Sequence, residues 1–530
     1  MGWNGAEGVA NDKPRLSFGS NRRTGTQREI DGENELRPSR RDMPRGRFIF
    51  IFITALAGYA VWLGLRFSPE PGGADAAGYL HSAKLLTEGK IEAKLHIRHE
   101  LRNEWTQDFQ PLGFEAIRET RRLVPTYPVG LPLHLAVACS LFGWHWGPYV
   151  VGLGSALATL GMCYLLAREL GLSRIVGVTI VGSLAPCAVF VYSSIQPLSD
   201  TLATFWCCTA VWMALRARRG SMVAAAACGV AFSVVVLVRP SNALLLPALV
   251  VLLGDWKKMG LTALAGMPFA VALGFYQNAL YGGPLRSGYG DIAILLSADF
   301  FWTTLGHFAF WAGRLLPLGA FGVVGSAFLL RRKEQRREVV ALMLWVAAFV
   351  IFHGFYIWSR QDWSFVRFIA PAFPAMLLLG GMGMERAIAR LNFMRQPNVS
   401  VAIAVAVVVV GFASNALYKT PDARKHDRMY VEAKEWARGN LPPDALVVSA
   451  LFSGTLYFQT GHPVVRWDVL GETEGPKYLA MMHRAGQPVY AVLDRSELAD
   501  PRMKKFPGKW EKLADFHSAG AWKITPAENQ

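Results

Sequence analysis

Apolar residues in this chain are gathered into long runs instead of recurring at a short regular period. A first run covers residues 48–65, and ten more follow before residue 418. These later runs lie near 148–167, 175–193, 201–215, 221–238, 243–254, 260–281, 308–330, 339–357, 366–384 and 398–417. Because about twenty apolar residues cross a bilayer as a helix, this pattern predicts an all-α polytopic membrane protein with about eleven transmembrane helices.

A further apolar stretch, 129–143, is placed by the positive charges in the loops. If it lies at the outer surface as a juxtamembrane or re-entrant helix, five basic groups all face the cytoplasm. These groups are Arg168 to Arg174, Arg216 to Arg219, Lys257 and Lys258, Arg331 to Arg337, and Arg386 to Arg395. If the stretch crosses, they fall outside, against the preference of Lys and Arg for cytoplasmic loops. The sequence therefore predicts a cytoplasmic N-terminus and an outer C-terminus.

Polar segments flank the membrane region. Residues 1–47 are rich in Gly and Arg without periodicity, which predicts a disordered basic cytoplasmic tail. Residues 66–147 form a first outer loop with juxtamembrane helices. From 418 to 530 the composition is that of a soluble domain, with an amphipathic helix at 429–438. Buried strands are predicted there at 445–449, 463–467 and 489–493, which indicates a small extracytoplasmic α/β domain.

Composition narrows the classes of function. Of the 530 residues, 52% are hydrophobic and 18% are charged, which is too apolar for one soluble domain. The net charge of +16 comes from Lys and Arg scattered through short loops, which is typical of a membrane protein and argues against a nucleic-acid partner. The six cysteines fall in apolar segments without metal-ligand spacing, so we predict no metal site from them. No cofactor is predicted with certainty, and the sequence leaves open whether a divalent metal ion takes part.

The polar stretch directly after the first apolar run carries the strongest candidate for chemistry. Gly72 and Gly73 break the backbone, and Asp75 follows where the N-cap of a helix is expected. Apolar residues at helical spacing from Ala76 to Leu86 predict that one face of this helix lies on the membrane surface. Two roles are open to a carboxylate in this position. It can be a purely structural cap of the helix, or it can accept a proton from a substrate.

Other charged and aromatic residues gather at the predicted outer ends of the membrane helices. Taken singly, each arginine can be a solvated loop charge or a snorkelling anchor. Together they predict one polar site at the outer surface, since Asp and Glu are absent from the middle of the apolar runs. The candidate catalytic residues are Asp75 and Asp200, and the candidate substrate-binding residues are Tyr79, Arg121, Arg122, Tyr127, Arg239, Tyr289, Arg314 and Arg367.

This placement is suited to group transfer from a lipid phosphate. The tail of such a donor stays in the bilayer while its reacting carbon lies at the outer surface. An attacking hydroxyl must lose a proton, which Asp75 could accept, and the departing phosphate gains charge that an arginine or a metal ion should meet. If the reacting carbon belongs to a sugar, the negative charge of Asp200 could stabilise its oxocarbenium-like state.

Short segments in a particular order carry a resemblance to a known family. The segments are Asp75-x-x-x-Tyr79, Tyr127 to Leu133, Gln196 to Asp200, Val238 to Asn242, Tyr281 to Pro284, Ser287 to Gly290, and Arg367 to Pro374. In this order they resemble the polyprenol-phosphate-sugar-dependent glycosyltransferases of the GT-C superfamily, which include the protein O-mannosyltransferases and the lipid A aminoarabinose transferases. The resemblance covers about residues 48–420.

The resemblance implies a glycosyltransferase of the cytoplasmic (inner) membrane. It implies transfer of a hexosyl or pentosyl group from a polyprenyl-phosphate donor to a lipid, glycan or protein acceptor on the outer face. Asp75 takes the position of the proposed base, and Asp200 that of the second acidic residue. Many relatives carry two adjacent acidic residues where this chain has Ala74 and Asp75, which argues against a tightly bound metal ion. A flippase or transporter of lipid-linked sugars and a non-catalytic envelope assembly protein are the alternatives.

Overall fold

The computed structural model describes residues 44–418, 420, 422–506 and 508–525. Residues 1–43 of the predicted tail lie outside the described residues. Helix α1 (Arg45–Gly64) begins before the predicted start at residue 48, so the end of the predicted tail is helical. The chain divides into two units after Ala57, within α1, and the second unit holds the other described elements.

The second unit is mainly helical. Its helices before the C-terminal domain are α2 (Gly73–Thr87), α3 (Gly130–Glu169), α4 (Arg174–Leu184), α5 (Ala188–Ser194), α6 (Ser199–Arg218), α7 (Met222–Val238), α8 (Leu246–Leu253), α9 (Trp256–Tyr281), α10 (Phe301–Leu315), α11 (Pro317–Leu329), α12 (Arg336–Gly354), α13 (Phe373–Arg390) and α14 (Pro397–Leu417). Among the described residues of the whole chain, six helices are long and apolar enough to cross a membrane. The number rises to eight if each of two bent pairs, α4 with α5 and α10 with α11, is one span. The protein is therefore a multi-pass membrane protein.

Helix α3 turns sharply at Gly143, which has a left-handed φ of 74°. A straight helix of its 40 residues would be about 60 Å long, twice the hydrocarbon thickness of a bilayer. Beyond the turn Gly147 packs against Cys139, and a Cβ on Gly147 would lie 2.7 Å from the Cys139 Cα. The segment before Gly143 and the helix after it therefore do not form one straight helix. The predicted placement of 129–143 outside the following span requires such a break.

The predicted span 308–330 is not one straight helix. Helices α10 and α11 meet at Leu316 with a bend of 118°. Leu316 has non-helical dihedral angles, and Pro317 begins the second helix. Proline is tolerated there because the N–H of the first helical residue has no partner within the helix. Helix α10 is amphipathic, with Phe308 buried and Trp302 exposed. The apolar run did not reveal this bend because Pro also occurs inside membrane helices.

Residues 66–147, the predicted first outer loop, contain a sheet as well as helix α2. Three short strands, β1 (Ala93–Lys94), β2 (Phe114–Ile117) and β3 (Arg122–Pro125), pair antiparallel in the order β1-β3-β2. The all-α prediction was therefore wrong for this loop, because strands of two to four residues leave little alternation in the sequence.

Helix α2 does not lie on the membrane surface as predicted. All its residues from Ala76 to Ala83 are buried. On one side Tyr79 donates a hydrogen bond to Ser199 at the start of α6. On another side the His81 ring stacks on Phe458 of the C-terminal domain, with ring centroids 4.5 Å apart. The helix is thus held between membrane helices and the C-terminal domain.

The C-terminal domain contains a five-stranded mixed sheet. Its strands and main helices are α15 (Arg428–Asn440), β4 (Leu446–Val448), β5 (Val464–Val465), α16 (Glu474–Arg484), β6 (Val489–Asp494), α17 (Arg495–Ala499), β7 (Lys509–Phe516) and β8 (Ala519–Thr525). The order is β5-β4-β6-β8-β7, with β4 parallel to β5 and β6 and the remaining pairs antiparallel. The three predicted strands correspond to β4, β5 and β6, whereas the β7–β8 hairpin was not predicted.

The first outer loop and the C-terminal domain share one hydrophobic core. Phe109, Phe114 and Leu123 of the loop belong to the same buried cluster as Phe452 and Tyr478 of the domain. Residues that share a core lie on the same side of a membrane. The number of crossings between the loop and the domain must therefore be even.

Candidate active site

Four charged side chains from distant parts of the chain meet beside helix α2. Asp75 lies in the first turn of α2 and Asp200 in the first turn of α6. Arg239 follows the last residue of α7, and Arg367 lies in the 3₁₀ helix Trp363–Ala372 that precedes α13. Asp75, Asp200 and Arg239 lie at helix ends, whereas Arg367 lies in the middle of its short 3₁₀ helix. Side chains from several elements thereby reach one space.

Arg367 bridges the two carboxylates. Its Nη2 donates to Asp75 Oδ2 at 2.6 Å, and its Nη1 lies 3.4 Å from Asp200 Oδ2. Arg239 is paired with the other oxygen of Asp200, Oδ1. Two carboxylates and two guanidinium groups carry no net charge together. This pairing allows all four to be largely withdrawn from water, where a single charge would be strongly disfavoured.

The two carboxylates differ in accessibility. The Asp200 side chain is 1% exposed and faces two arginines, so little room is left for a further partner. The Asp75 side chain is 27% exposed. Of the two candidate carboxylates, Asp75 is therefore the one that a substrate can reach.

Asp75 is not the N-cap of its helix, contrary to the expectation from the sequence. Gly72 holds that position and has no side chain, and Gly73 begins the helix with a φ of +66°. The Asp75 carboxylate is consequently free to bond outside its own helix. Burial raises its pKa, but the charge of Arg367 and hydrogen bonds from Tyr127 and Arg367 outweigh burial, so the pKa of Asp75 lies below its usual value. Asp75 is thus an ionised acceptor at neutral pH.

Aromatic rings surround the charged group. Tyr79 and Tyr127 have ring centroids 5.0 Å apart, and Tyr289 meets Tyr127 edge-on at 6.1 Å. The ring of Phe368 lies within 5.6 Å of the guanidinium carbons of both Arg239 and Arg367. Phe368 was not a predicted site residue, although its position next to Arg367 was a signal. Ser199, which binds Tyr79, could likewise have been found beside Asp200.

The structure brings seven candidate residues together, namely Asp75, Tyr79, Tyr127, Asp200, Arg239, Tyr289 and Arg367. The other three have different surroundings. Arg121 donates to the backbone carbonyl of Arg102 at 2.7 Å, and Arg122 is paired with Glu92 at 2.6 Å, both within the first outer loop. Arg314 lies over the ring of Phe310, one turn earlier in its own helix.

The arrangement of carboxylates does not resemble a metal centre. Among the described residues, no group of three or more His, Cys, Asp and Glu side chains could hold a metal ion. Asp75 and Asp200 face guanidinium groups, which neutralise them without a metal.

No protein-family model matches the sequence, and none of the curated proteins matches it. Comparison with solved structures, however, finds chains of similar fold.

The structure of ArnT from Cupriavidus metallidurans in the apo state has a TM-score of 0.58 and 16% identity, over 90% of this chain and 98% of ArnT. ArnT bound to undecaprenyl phosphate gives a TM-score of 0.57 and 14% identity, over 91% and 98% of the two chains. The oligosaccharyltransferase AglB from Archaeoglobus fulgidus was solved in complex with an inhibitory peptide and a dolichol-phosphate. It gives a TM-score of 0.54 and 13% identity, and the match covers 83% of this chain and 69% of AglB. At such identities the likeness is one of fold.

Proposed function

We propose that the protein is an integral-membrane glycosyltransferase that uses a polyprenyl-phosphate sugar donor on the outer face of the cytoplasmic membrane. The observation that carries the proposal is the partly exposed carboxylate of Asp75 beside two arginines, in a chain with the GT-C fold. One structural neighbour was solved with undecaprenyl phosphate and another with a dolichol-phosphate. In transfer from such a lipid, a carboxylate can accept the proton of the acceptor and guanidinium groups can neutralise the departing phosphate.

In the proposed reaction, an acceptor hydroxyl oxygen forms a bond to the anomeric carbon of the sugar. The bond from that carbon to the phosphate oxygen breaks, and its electron pair leaves with the lipid phosphate. Asp75 accepts the hydroxyl proton as the oxygen attacks. The phosphate monoester that departs carries one more negative charge than the donor, and Arg367 and Arg239 stabilise it.

Asp200 has a different role in this proposal from the one the sequence suggested. Its carboxylate is buried and paired with both arginines, so it is poorly placed to face a sugar carbon. We assign it as a positioning residue that keeps the two guanidinium groups oriented. Tyr79, Tyr127 and Tyr289 form an aromatic wall against which an acceptor or a sugar can pack.

The test uses the purified protein in lipid nanodiscs with a panel of undecaprenyl-phosphate hexoses and pentoses. Membrane glycolipids and envelope polysaccharide serve as acceptors, and the release of undecaprenyl phosphate is measured. We expect acceptor-dependent release from at least one donor. A flippase would instead move a donor across the bilayer of a vesicle without releasing the lipid phosphate, and that outcome would overturn the proposal.

Arginine substitutions should distinguish an arginine that binds the donor phosphate from one that lies outside the site. Arg367→Lys should weaken binding of undecaprenyl phosphate about tenfold or more, because an ammonium cannot reproduce the two-pronged bonds of a guanidinium. Arg314→Lys is the matched control, since Arg314 contacts Phe310 and not the charged group. Affinity is measured by titrating the lipid into each variant in nanodiscs. Equal affinities for the two variants would place the phosphate elsewhere.

We further propose eleven spans with the N-terminus inside and the C-terminus outside. Helix α1, the part of α3 after Gly143, the pair α4–α5, α6 and α7 would be the first five. The 3₁₀ helix Pro240–Leu245 with α8, then α9, the pair α10–α11, α12, α13 and α14 would be the other six. Ten crossings would then separate the first outer loop from the C-terminal domain, the even number that their shared core requires.

Reporter fusions test this topology. A reporter that is active only outside the cytoplasm should work after Gln530 and fail after Arg218, because basic loops favour the cytoplasmic side. The same fusion near Leu285, in the loop after α9, should be active. An active fusion at Arg218 combined with an inactive one at Gln530 would show that the orientation is reversed.

A further inference from the structure

Helix α2, which carries Asp75, lacks an N-terminal cap from its own sequence. The first N–H groups of a helix have no partner within the helix, and a Ser, Thr, Asp or Asn side chain usually binds them. Here the N-cap residue is Gly72, and no side-chain cap bond is made. The N–H of Gly73 donates instead to the hydroxyl of Tyr430 at 3.0 Å. Tyr430 belongs to the C-terminal domain and is 357 residues away in sequence.

Further bonds hold the chain that leads into α2. Tyr430 lies near the start of α15, and Asp427 directly precedes that helix. The Asp427 carboxylate accepts a hydrogen bond from Ser68 and lies against Gly72, where a Cβ would come 2.7 Å from its Oδ1. Lys434, one turn after Tyr430, is paired with Glu70 at 3.3 Å. We call these contacts of Asp427, Tyr430 and Lys434 with residues 68–73 the α15 clamp.

The clamp is buried and close to the candidate base. Tyr430 is 3% exposed, and its ring packs on Phe452 with centroids 4.8 Å apart. Asp75 is two residues after Gly73, in the same helical turn. A shift of this turn would move the Asp75 carboxylate relative to Arg367, which is fixed on a separate element.

We infer that the C-terminal domain positions the candidate base, with Tyr430 as the positioning residue that supplies the missing cap of α2. The effect of this positioning on catalysis rests on the proposed function, whereas the capping of α2 by Tyr430 does not. The domain is then a part of the active site and not an independent binding module.

The experiment compares two tyrosine variants in the full-length protein in nanodiscs. Tyr430→Phe removes the hydroxyl that caps α2 and keeps the packed ring. Tyr478→Phe is the matched control, because the Tyr478 hydroxyl is also buried and also ties the domain to the first outer loop, through Asp108 Oδ2 at 2.5 Å. The two variants differ in whether the lost bond reaches the helix of Asp75.

Two readouts are measured. Hydrogen exchange of a peptide that covers residues 70–80 should accelerate in Tyr430→Phe and stay at the wild-type rate in Tyr478→Phe. For a donor that the wild-type protein uses, kcat should fall about threefold to tenfold in Tyr430→Phe only, as expected for the loss of one capping hydrogen bond, with KM unchanged. Undecaprenyl phosphate should bind to both variants with wild-type affinity.

The outcomes separate the inference from the proposed function. If exchange of the peptide 70–80 does not change, or if both variants lose kcat equally, the inference is overturned. Faster exchange with unchanged kcat would also overturn it, because the cap would then not position the base. If the wild-type protein releases no undecaprenyl phosphate from any donor, the proposed function fails, and the exchange rates alone decide whether Tyr430 holds the helix of Asp75.

Discussion

Replacing Asp75 by Asn should lower the transfer rate by about 10²- to 10⁴-fold, the range usually contributed by a general base. An amide cannot accept the proton of the attacking hydroxyl, although it keeps an oxygen that can bond to Arg367. Since Gly72 and not Asp75 is the N-cap, the helix keeps its start in the variant. Arg367 also keeps Asp200 as a carboxylate partner, and Asp75 is partly exposed. We therefore expect the melting temperature of the purified protein and its affinity for undecaprenyl phosphate to change little.

The matched control for this change is Glu88→Gln. Glu88 is an exposed carboxylate that directly follows the same helix, and it is paired with Lys90. It should keep wild-type activity. The measurement is the single-turnover rate of lipid phosphate release with saturating donor. A rate for Asp75→Asn within a factor of three of wild type would remove Asp75 from the reaction.

Replacing Asp200 by Asn should have the largest effect on stability. The change leaves Arg239, whose side chain is 15% exposed, without its buried carboxylate partner, and loss of one member of a buried ion pair costs about 3–5 kcal/mol. A second substitution, Arg239→Gln, removes the stranded charge, so the double variant Asp200→Asn/Arg239→Gln should recover part of the lost stability. Thermal unfolding in a fixed detergent measures both.

Asp291→Asn provides the comparison for this second prediction. Asp291 is an exposed loop carboxylate that accepts a hydrogen bond from the backbone N–H of Ala293, a role that Asn can take over. It should unfold at the wild-type temperature. If Asp200→Asn does so as well, or if the double variant is less stable than Asp200→Asn, the ion pair does not contribute as the geometry suggests.

The position of the site could be predicted from the sequence because it depends on local placement and topology. Asp75, Asp200, Arg239 and Arg367 each lie at a predicted helix end, and counting loop charges assigned all of these ends to one side. In the structure the side chains of these four residues meet. The same reasoning could not show that Arg367 bridges both carboxylates, since pairing depends on distances between helices.

Other features had no local signal. Arg122 seemed equivalent to Arg367 as an outer-loop cation, but it lies on β3 and is paired with Glu92. The buried position of α2 depends on the C-terminal domain, in which Phe458 stacks on the ring of His81. Tyr430 is one aromatic residue in an ordinary amphipathic helix, and only the folded chain brings its hydroxyl to Gly73.

The most direct measurement is mass spectrometry of the envelope glycans from three strains. One carries the wild-type gene, one lacks it, and one carries the Asp75→Asn variant at the same protein level. We predict a glycan, glycolipid or glycoprotein with one additional sugar in the first strain alone, and accumulation of the polyprenyl-phosphate sugar in the other two. If the glycans of the Asp75→Asn strain match those of the wild type, or if all three strains have the same glycans and lipid carriers, the protein is not a glycosyltransferase that uses Asp75.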